Sequence, residues 1–355
     1  MDRLDRILGC FLAGACGDAL GNPVEFYSGE MIRSRYGDAG VREMQLNGGV
    51  AEITDDTQMT LFTAEGMLCS LRHGRDVTAC IYQSYLDWMH TQGYRRLRGI
   101  YHSESRLLPV SELHHRRAPG NTCLGALESG KMGTLEEPIN RSKGCGGVMR
   151  TAPCGMLKLL DGGEEVYALQ GARAAAITHS HLMGYVPAAM LADMIHRILT
   201  EEAASLEEIV LASLDCIWEL FAPQVDSADG CEADEGESSG VFAQMLEFRS
   251  LIHRAVKLAR EDHPDEAAID HLGEGWVGDE ALAIAVYCCL KYPHSMEDCL
   301  CAAVTHKGDS DSTGAVAGNI LGAWQGVQAV PQRWLQVLEA RETIENMARA
   351  VWAMG

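Results

Sequence analysis

Leu4, Ile7, Leu8, Phe11 and Ala15 recur in steps of three and four, which predicts an amphipathic helix near the start of the chain. It is expected to end near Gly17-Asp18-Ala19-Leu20-Gly21, where the glycines permit a tight turn that Asp18 holds by accepting from backbone amides. Met59, Phe62, Leu68 and Leu71 mark a second helix behind Thr54-Asp55-Asp56-Thr57, and Val77–His90 reads as a third. Helical spacing returns over Ala172–Thr178, Gly184–Leu199, Phe242–Arg260, Ala281–Leu290 and Ala315–Leu321. No alternation of period two is sustained enough for a sheet, and no repeat or heptad occurs. The pattern predicts an all-α protein, a compact orthogonal helical bundle.

Two stretches interrupt it. Gln92–Asn121 is irregular and basic, with Arg95, Arg96, Arg98, Arg106, Arg116 and Arg117 among tyrosines and histidines. It reads either as a solvated loop that balances an acidic body or as a rim that meets an anionic ligand, since Arg forks suit phosphate and stack on adenine. Pro223–Gly240 carries six acidic residues among Gly and Ser and reads as a flexible acidic loop. Both are expected to be insertions within one domain spanning 1–355.

The chemistry concentrates in Gly308-Asp309-Ser310-Asp311-Ser312-Thr313-Gly314, two carboxylates and three hydroxyls between glycines. A helix cap needs one such residue, and Ser312 or Thr313 would serve. Carboxylates one residue apart repel unless a cation sits between them, and Mg²⁺ prefers oxygen ligands in octahedral geometry. Thr54-Asp55-Asp56-Thr57 has the same character, also at a helix start. The two segments read as halves of one metal site at two helix N-termini.

Composition narrows the picture. A formal net charge of −21 argues against nucleic acid as a partner. Thirteen cysteines, an odd number without Cys-x-x-Cys spacing, predict reduced thiols in a cytoplasmic protein. Cys288, Cys289, Cys299 and Cys301 are expected as small buried residues on helices. No apolar run is expected to reach membrane-spanning length, and Met1–Arg6 opens no signal peptide; no membrane partner is expected.

With Gly17–Gly21, Thr54–Thr57 and Gly308–Gly314 in this order, the chain resembles the ADP-ribosylglycohydrolase family. The resemblance runs from about residue 5 to about residue 330. It implies an all-helical fold, a binuclear metal cleft with two Mg²⁺ ions and Mn²⁺ as a substitute, and hydrolysis of the bond joining ADP-ribose to a side chain. It implies Thr54, Asp55, Asp56, Asp309, Asp311 and Ser312 as metal ligands. Glu25, following Gly21 at the spacing of an acidic residue in microbial members, joins Asp55, Asp56 and Asp309 as a catalytic candidate.

Arg141–Arg150 matches the family's Gly-Cys-Gly motif. It precedes an expected helix, so backbone amides and a helix N-terminus there suit a pyrophosphate and ribose. Ser142, Lys143, Gly144, Cys145, Gly146 and Gly147 are its substrate-binding candidates. His179 matches a position near the substrate, whereas His181 does not; two histidines at i and i+2 share no helix face, so zinc is a poor reading. Trp276, in the turn Gly273–Glu280 before a core helix, covers the substrate or packs in the core.

The implied activity is Mg²⁺-dependent hydrolysis of the N-glycosidic bond between ADP-ribose and a protein arginine, through an oxocarbenium-like transition state. The turn Arg117–Thr122 and Gly144-Cys145-Gly146 resemble the arginine-specific members. Ala118 stands where the nitrogenase-related branch has an acidic residue, so no acid/base role carries over to that position. The alternatives are hydrolysis of another ADP-ribose linkage (O-linked serine or O-acyl-ADP-ribose), a non-catalytic ADP-ribose binder, and a metal-dependent phosphohydrolase. Expected partners are an ADP-ribosylated protein or an ADP-ribose small molecule.

Overall fold

The computed structural model describes residues 2–201, 203–223 and 235–355. The helices are α1 (Arg3–Gly21), α2 (Gly29–Tyr36), α3 (Asp55–His73), α4 (Val77–Thr91), α5 (Asn121–Glu128), α6 (Val166–Ala176), α7 (Leu182–Thr200) and α8 (Leu206–Phe221). They continue with α9 (Glu235–Ala259), α10 (Asp265–Asp270), α11 (Gly278–Lys291), α12 (Met296–Val304), α13 (Ser310–Gln325), α14 (Gln332–Leu335) and α15 (Arg341–Met354). Among the described residues β pairing is limited to three isolated bridges, so the all-α expectation holds. The buried apolar side chains form one contiguous cluster from Ile7 to Val351. The predicted acidic loop falls mainly on 224–234, outside the described residues; its last residues, from Glu235, already belong to α9.

The first helix ends at Gly21, within the stretch expected, but Gly17–Gly21 is its last turn and not a tight turn beyond it. Its length and composition would allow it to cross a membrane, against the expectation, yet 89% of the apolar window is buried inside the protein.

The partner that buries it is chiefly α13, and the two make the most extensive helix pair in the molecule. Gly9, Ala13, Gly17 and Gly21 lie four residues apart on α1, and Ser310, Gly314, Gly318 and Gly322 do so on α13. Four-residue steps put each set on one helix face. A Cβ at Gly9 would stand 2.1 Å from the Gly322 carbonyl oxygen, at Gly17 2.0 Å from that of Gly314, and at Gly21 2.3 Å from that of Ser310. The helices thus run antiparallel with backbones in contact, and glycine is kept there despite its cost inside a helix. This seam brings the start of α13 against the end of α1.

The helix starts are fixed individually. Thr54 caps α3 and accepts from the Asp56 amide. Asp309, rather than Ser312 or Thr313, caps α13 by accepting from the Ser312 amide at 3.3 Å. Gly308 before it has φ +114°, and a Cβ there would stand 2.0 Å from the Glu274 carbonyl oxygen, so only glycine fits. The four helical cysteines singled out in the sequence are buried; the Sγ atoms of Cys289 and Cys299 lie 3.8 Å apart and every described cysteine is a free thiol.

Candidate active site

Asp18 is the hidden anchor. It sits fully buried in α1 and holds no turn of its own. Both its oxygens accept from the Thr54 amide at 3.0 Å, and Oδ2 also accepts from the Thr57 amide at 3.1 Å. One carboxylate thereby takes up orphan amides at the start of α3. The Asp55 amide donates to the Arg117 carbonyl at 3.1 Å, and Asp55 Oδ2 accepts from the Gly120 amide at 3.1 Å. These bonds fold 117–120 over the helix start and place Ala118 in a left-handed conformation, φ +44°.

Glu25 follows α1 on a short 3₁₀ turn and faces the start of α13. Oxygen atoms of Glu25, Asp309 and Asp311 lie within 4.8 Å of one another, all three residues buried. Asp56 is next to them: its Oδ2 accepts from the Thr54 hydroxyl at 3.3 Å, and its Oδ1 has no partner among the described residues. Burial, and then the Asp311, Asp55 and Asp18 charges, push the Glu25 carboxyl up to about 9. Burial likewise raises Asp55, Asp56 and Asp309 well above the usual carboxylate range, with neighbouring carboxylates adding to it. Asp18 is pushed up to about 7 by burial and by Asp311. Arg117, adjacent in sequence, pairs instead with Glu52 and Glu339 at 3.0 and 2.9 Å. An oxygen-only donor set with no cationic side chain paired to it fits a hard divalent cation.

Above this acidic floor opens a cavity of about 320 Å³. Its floor is Glu25, Asp55, Asp56, Asp309, Asp311 and Ser312; its walls include 118–123, Gly144, Cys145, Gly146 and His179. At its mouth Trp276 stacks on Phe26, centroids 5.6 Å apart and planes 23° from parallel. Phe26 is 74% exposed and Trp276 38%. Trp276 is therefore a rim residue, not a core one.

A model of the ADP-ribosylglycohydrolase family matches residues 1–355. The chain belongs to this family. It is a hydrolase of ADP-ribosyl compounds. Over 345 residues it is 26% identical to the ADP-ribosyl-[dinitrogen reductase] glycohydrolase of Rhodospirillum rubrum, covering 95% of this chain and 91% of that protein. The human ADP-ribosylhydrolase ARH3 is 26% identical over 187 residues, 50% of this chain and 49% of that one. A solved structure described as an ADP-ribosylglycohydrolase-related protein complex superimposes with a TM-score of 0.63 at 25% identity, covering 99% of this chain and 98% of that one.

Within this family member, not every residue expected at the site reaches it. Thr54 is fully buried behind Asp56 and does not line the cleft. Ser142 turns to the Thr122 hydroxyl at 3.1 Å and lines a neighbouring groove. Lys143 is exposed and offers its carbonyl to the Gly278 amide at 2.9 Å. Gly147 is a packing glycine, where a Cβ would stand 2.1 Å from the Gly184 carbonyl oxygen. Where an α-helix is expected after Arg150 there is a 3₁₀ turn, 152–155, and the glycines themselves form another, 145–147, so no α-helix N-terminus serves them among the described residues. None of the arginines of 92–121 lines the cleft. Sequence reading missed Phe26, for which adjacency to Glu25 was the only signal, and Arg150, which lies buried beneath His179.

Proposed function

We propose that the protein hydrolyses the N-glycosidic bond between ADP-ribose and a protein arginine side chain, with Mg²⁺ as its metal. Asp55, Asp56, Asp309, Asp311 and Ser312 would hold two ions, with Glu25 beside them and Thr54 behind, its hydroxyl on Asp56. The observation that carries this reading is the convergence of Glu25, Asp309 and Asp311 oxygens to within 4.8 Å at the base of the cleft. When bound, the ions supply Lewis-acid charge for the ribose hydroxyls and a water of lowered pKa.

The side chains do the rest. Glu25, whose carboxyl is held above the usual range first by burial, hands a proton to the departing guanidine nitrogen. Asp55, Asp56 and Asp309 accept from the attacking water and from ribose hydroxyls. Gly144, Cys145 and Gly146 with His179 form the wall along which the ADP-ribosyl group lies. The stacked Phe26 and Trp276 at the mouth favour arginine as the target, since a planar guanidinium stacks on aromatic faces. The R. rubrum relative, whose name gives a protein-linked ADP-ribosyl group as its substrate, also supports a protein target. We also take residues 1–355 as one domain, supported by the single apolar cluster.

The test is release of free ADP-ribose from ADP-ribosyl-arginine and ADP-ribosyl-serine peptides in Mg²⁺, in Mn²⁺ and in EDTA. Release from the arginine peptide, dependent on metal, is expected. Release from the serine peptide alone overturns the linkage, and release untouched by EDTA overturns the metal.

A further inference from the structure

Arg150 is fully buried and makes no ion pair among the described residues. Its guanidinium lies 4.4 Å from the centroid of the Tyr85 ring. Nη1 contacts Met59 Sδ and Cys123 Sγ at 3.4 Å each, Nη2 donates to the Ala174 carbonyl at 3.4 Å, and Nε has no partner among the described residues. A buried cation held so loosely is costly. Its one short bond runs from Nη2 to Thr178 Oγ1, 2.6 Å. Thr178 Oγ1 in turn lies 2.8 Å from His179 Nδ1.

The direction of these bonds follows from the donors. Arginine only donates, so Thr178 Oγ1 is an acceptor from Arg150. The hydroxyl hydrogen is then free for His179 Nδ1 at 2.8 Å, a stronger acceptor than the Cys123 sulfur it also reaches. A neutral ring that accepts at Nδ1 carries its hydrogen on Nε2. The Nε2 end faces the cleft wall: Cβ atoms at Gly144 and Gly146 would come within 3.3 and 3.2 Å of it. We propose that Arg150 and Thr178 are positioning residues that lock His179 as a neutral ring with an Nε2–H donor aimed at an oxygen of the ADP-ribosyl group. Glycine at 144 and 146 leaves the space in which that oxygen sits. The inference rests on the proposed reading of the cleft as the ADP-ribosyl site.

The experiment uses the whole protein labelled with ¹⁵N-histidine at neutral pH, with His179→Gln to assign the ring. Wild type should show a bare Nδ1 and a protonated Nε2. Thr178→Val should lose that preference and bind ADP-ribose about tenfold more weakly by calorimetry, the loss of one well-placed hydrogen bond. Thr178→Ser, which keeps the hydroxyl, should behave as wild type, and Arg150→Met as Thr178→Val. An Nδ1–H tautomer in wild type overturns the proposal, as does a Thr178→Val protein with unchanged tautomer and affinity. If Arg150→Met does not fold, the valine and serine pair still decides. If wild type binds no ADP-ribose, the functional reading fails while the tautomer still tests this one.

Discussion

Asp311→Asn should stabilise the metal-free protein and destroy its activity. The oxygens of Glu25, Asp309 and Asp311 lie within 4.8 Å of one another. At an effective dielectric constant of about 20, two ionised carboxylates at that separation repel by about 3.5 kcal/mol. Proton uptake relieves part of this near neutrality, which leaves a gain of about 1–3 kcal/mol, or about 1–4 °C in melting temperature. Asparagine keeps the acceptor that Asp311 Oδ1 offers the Ser312 amide at 3.0 Å, so the helix start loses no bond. In Mg²⁺ the order should reverse. Wild type gains about 2.7 kcal/mol when the ion stands at about 100 times its dissociation constant, and the variant gains less. Thermal melts of both proteins in EDTA and in Mg²⁺, read beside release of ADP-ribose, give the four values needed. A variant that melts below wild type in EDTA assigns Asp311 a structural role and refutes the reasoning; so does normal turnover in Mg²⁺.

Three further outcomes can be measured by the same melts. The raised carboxyls bind protons in the folded protein that they release when unfolded. Their contribution is full below the ordinary value of 4.5 for Glu25 and is lost as pH rises towards about 9; in EDTA the melting temperature should therefore fall across that range, and one that rises would contradict the shift. At the seam, Gly17→Ala places a methyl 2.0 Å from the Gly314 carbonyl oxygen and should cost at least the upper end of about 1–3 kcal/mol, with turnover lost as α13 shifts. Gly125→Ala, where nothing lies within 4 Å of the new atom, should melt no lower than wild type.

The acidic floor was legible because its residues are too many and too polar for capping. Two carboxylates and three hydroxyls in succession at Asp309–Thr313 need a reason beyond a helix start, and so does Thr54–Thr57. The helix starts were readable from apolar spacing. The misreadings share a cause: glycines were taken as local punctuation. Gly17 and Gly21 read as a turn, but their role is set by a helix nearly 300 residues later, and tertiary contact overrode propensity. The same spacing of four small residues on both helices was present in the sequence and is its visible trace. Gly147 read as ligand cradle and instead packs against Gly184. Asp18 was rightly given backbone amides, but those of another helix. Arg150 carries no local signal and Phe26 only its place beside Glu25, since one is defined by what surrounds it and the other by the cleft it overlooks.

The seam between α1 and α13 also sets when the site can exist. Glu25 leaves the ribosome early, while Asp309 and Asp311 follow only after some 280 further residues. At about 5–20 residues per second, that delay is about 15–60 s. Throughout it, the glycine face of α1, a segment of membrane-crossing length and composition, has no α13 to lie against. A nascent chain cut anywhere before α13 therefore holds half of a charge cluster and an uncovered apolar rod. The glycine contact that draws the two carboxylate-bearing ends together makes completion of the chain a condition for catalysis, and makes α1 the segment that most needs protection while synthesis continues.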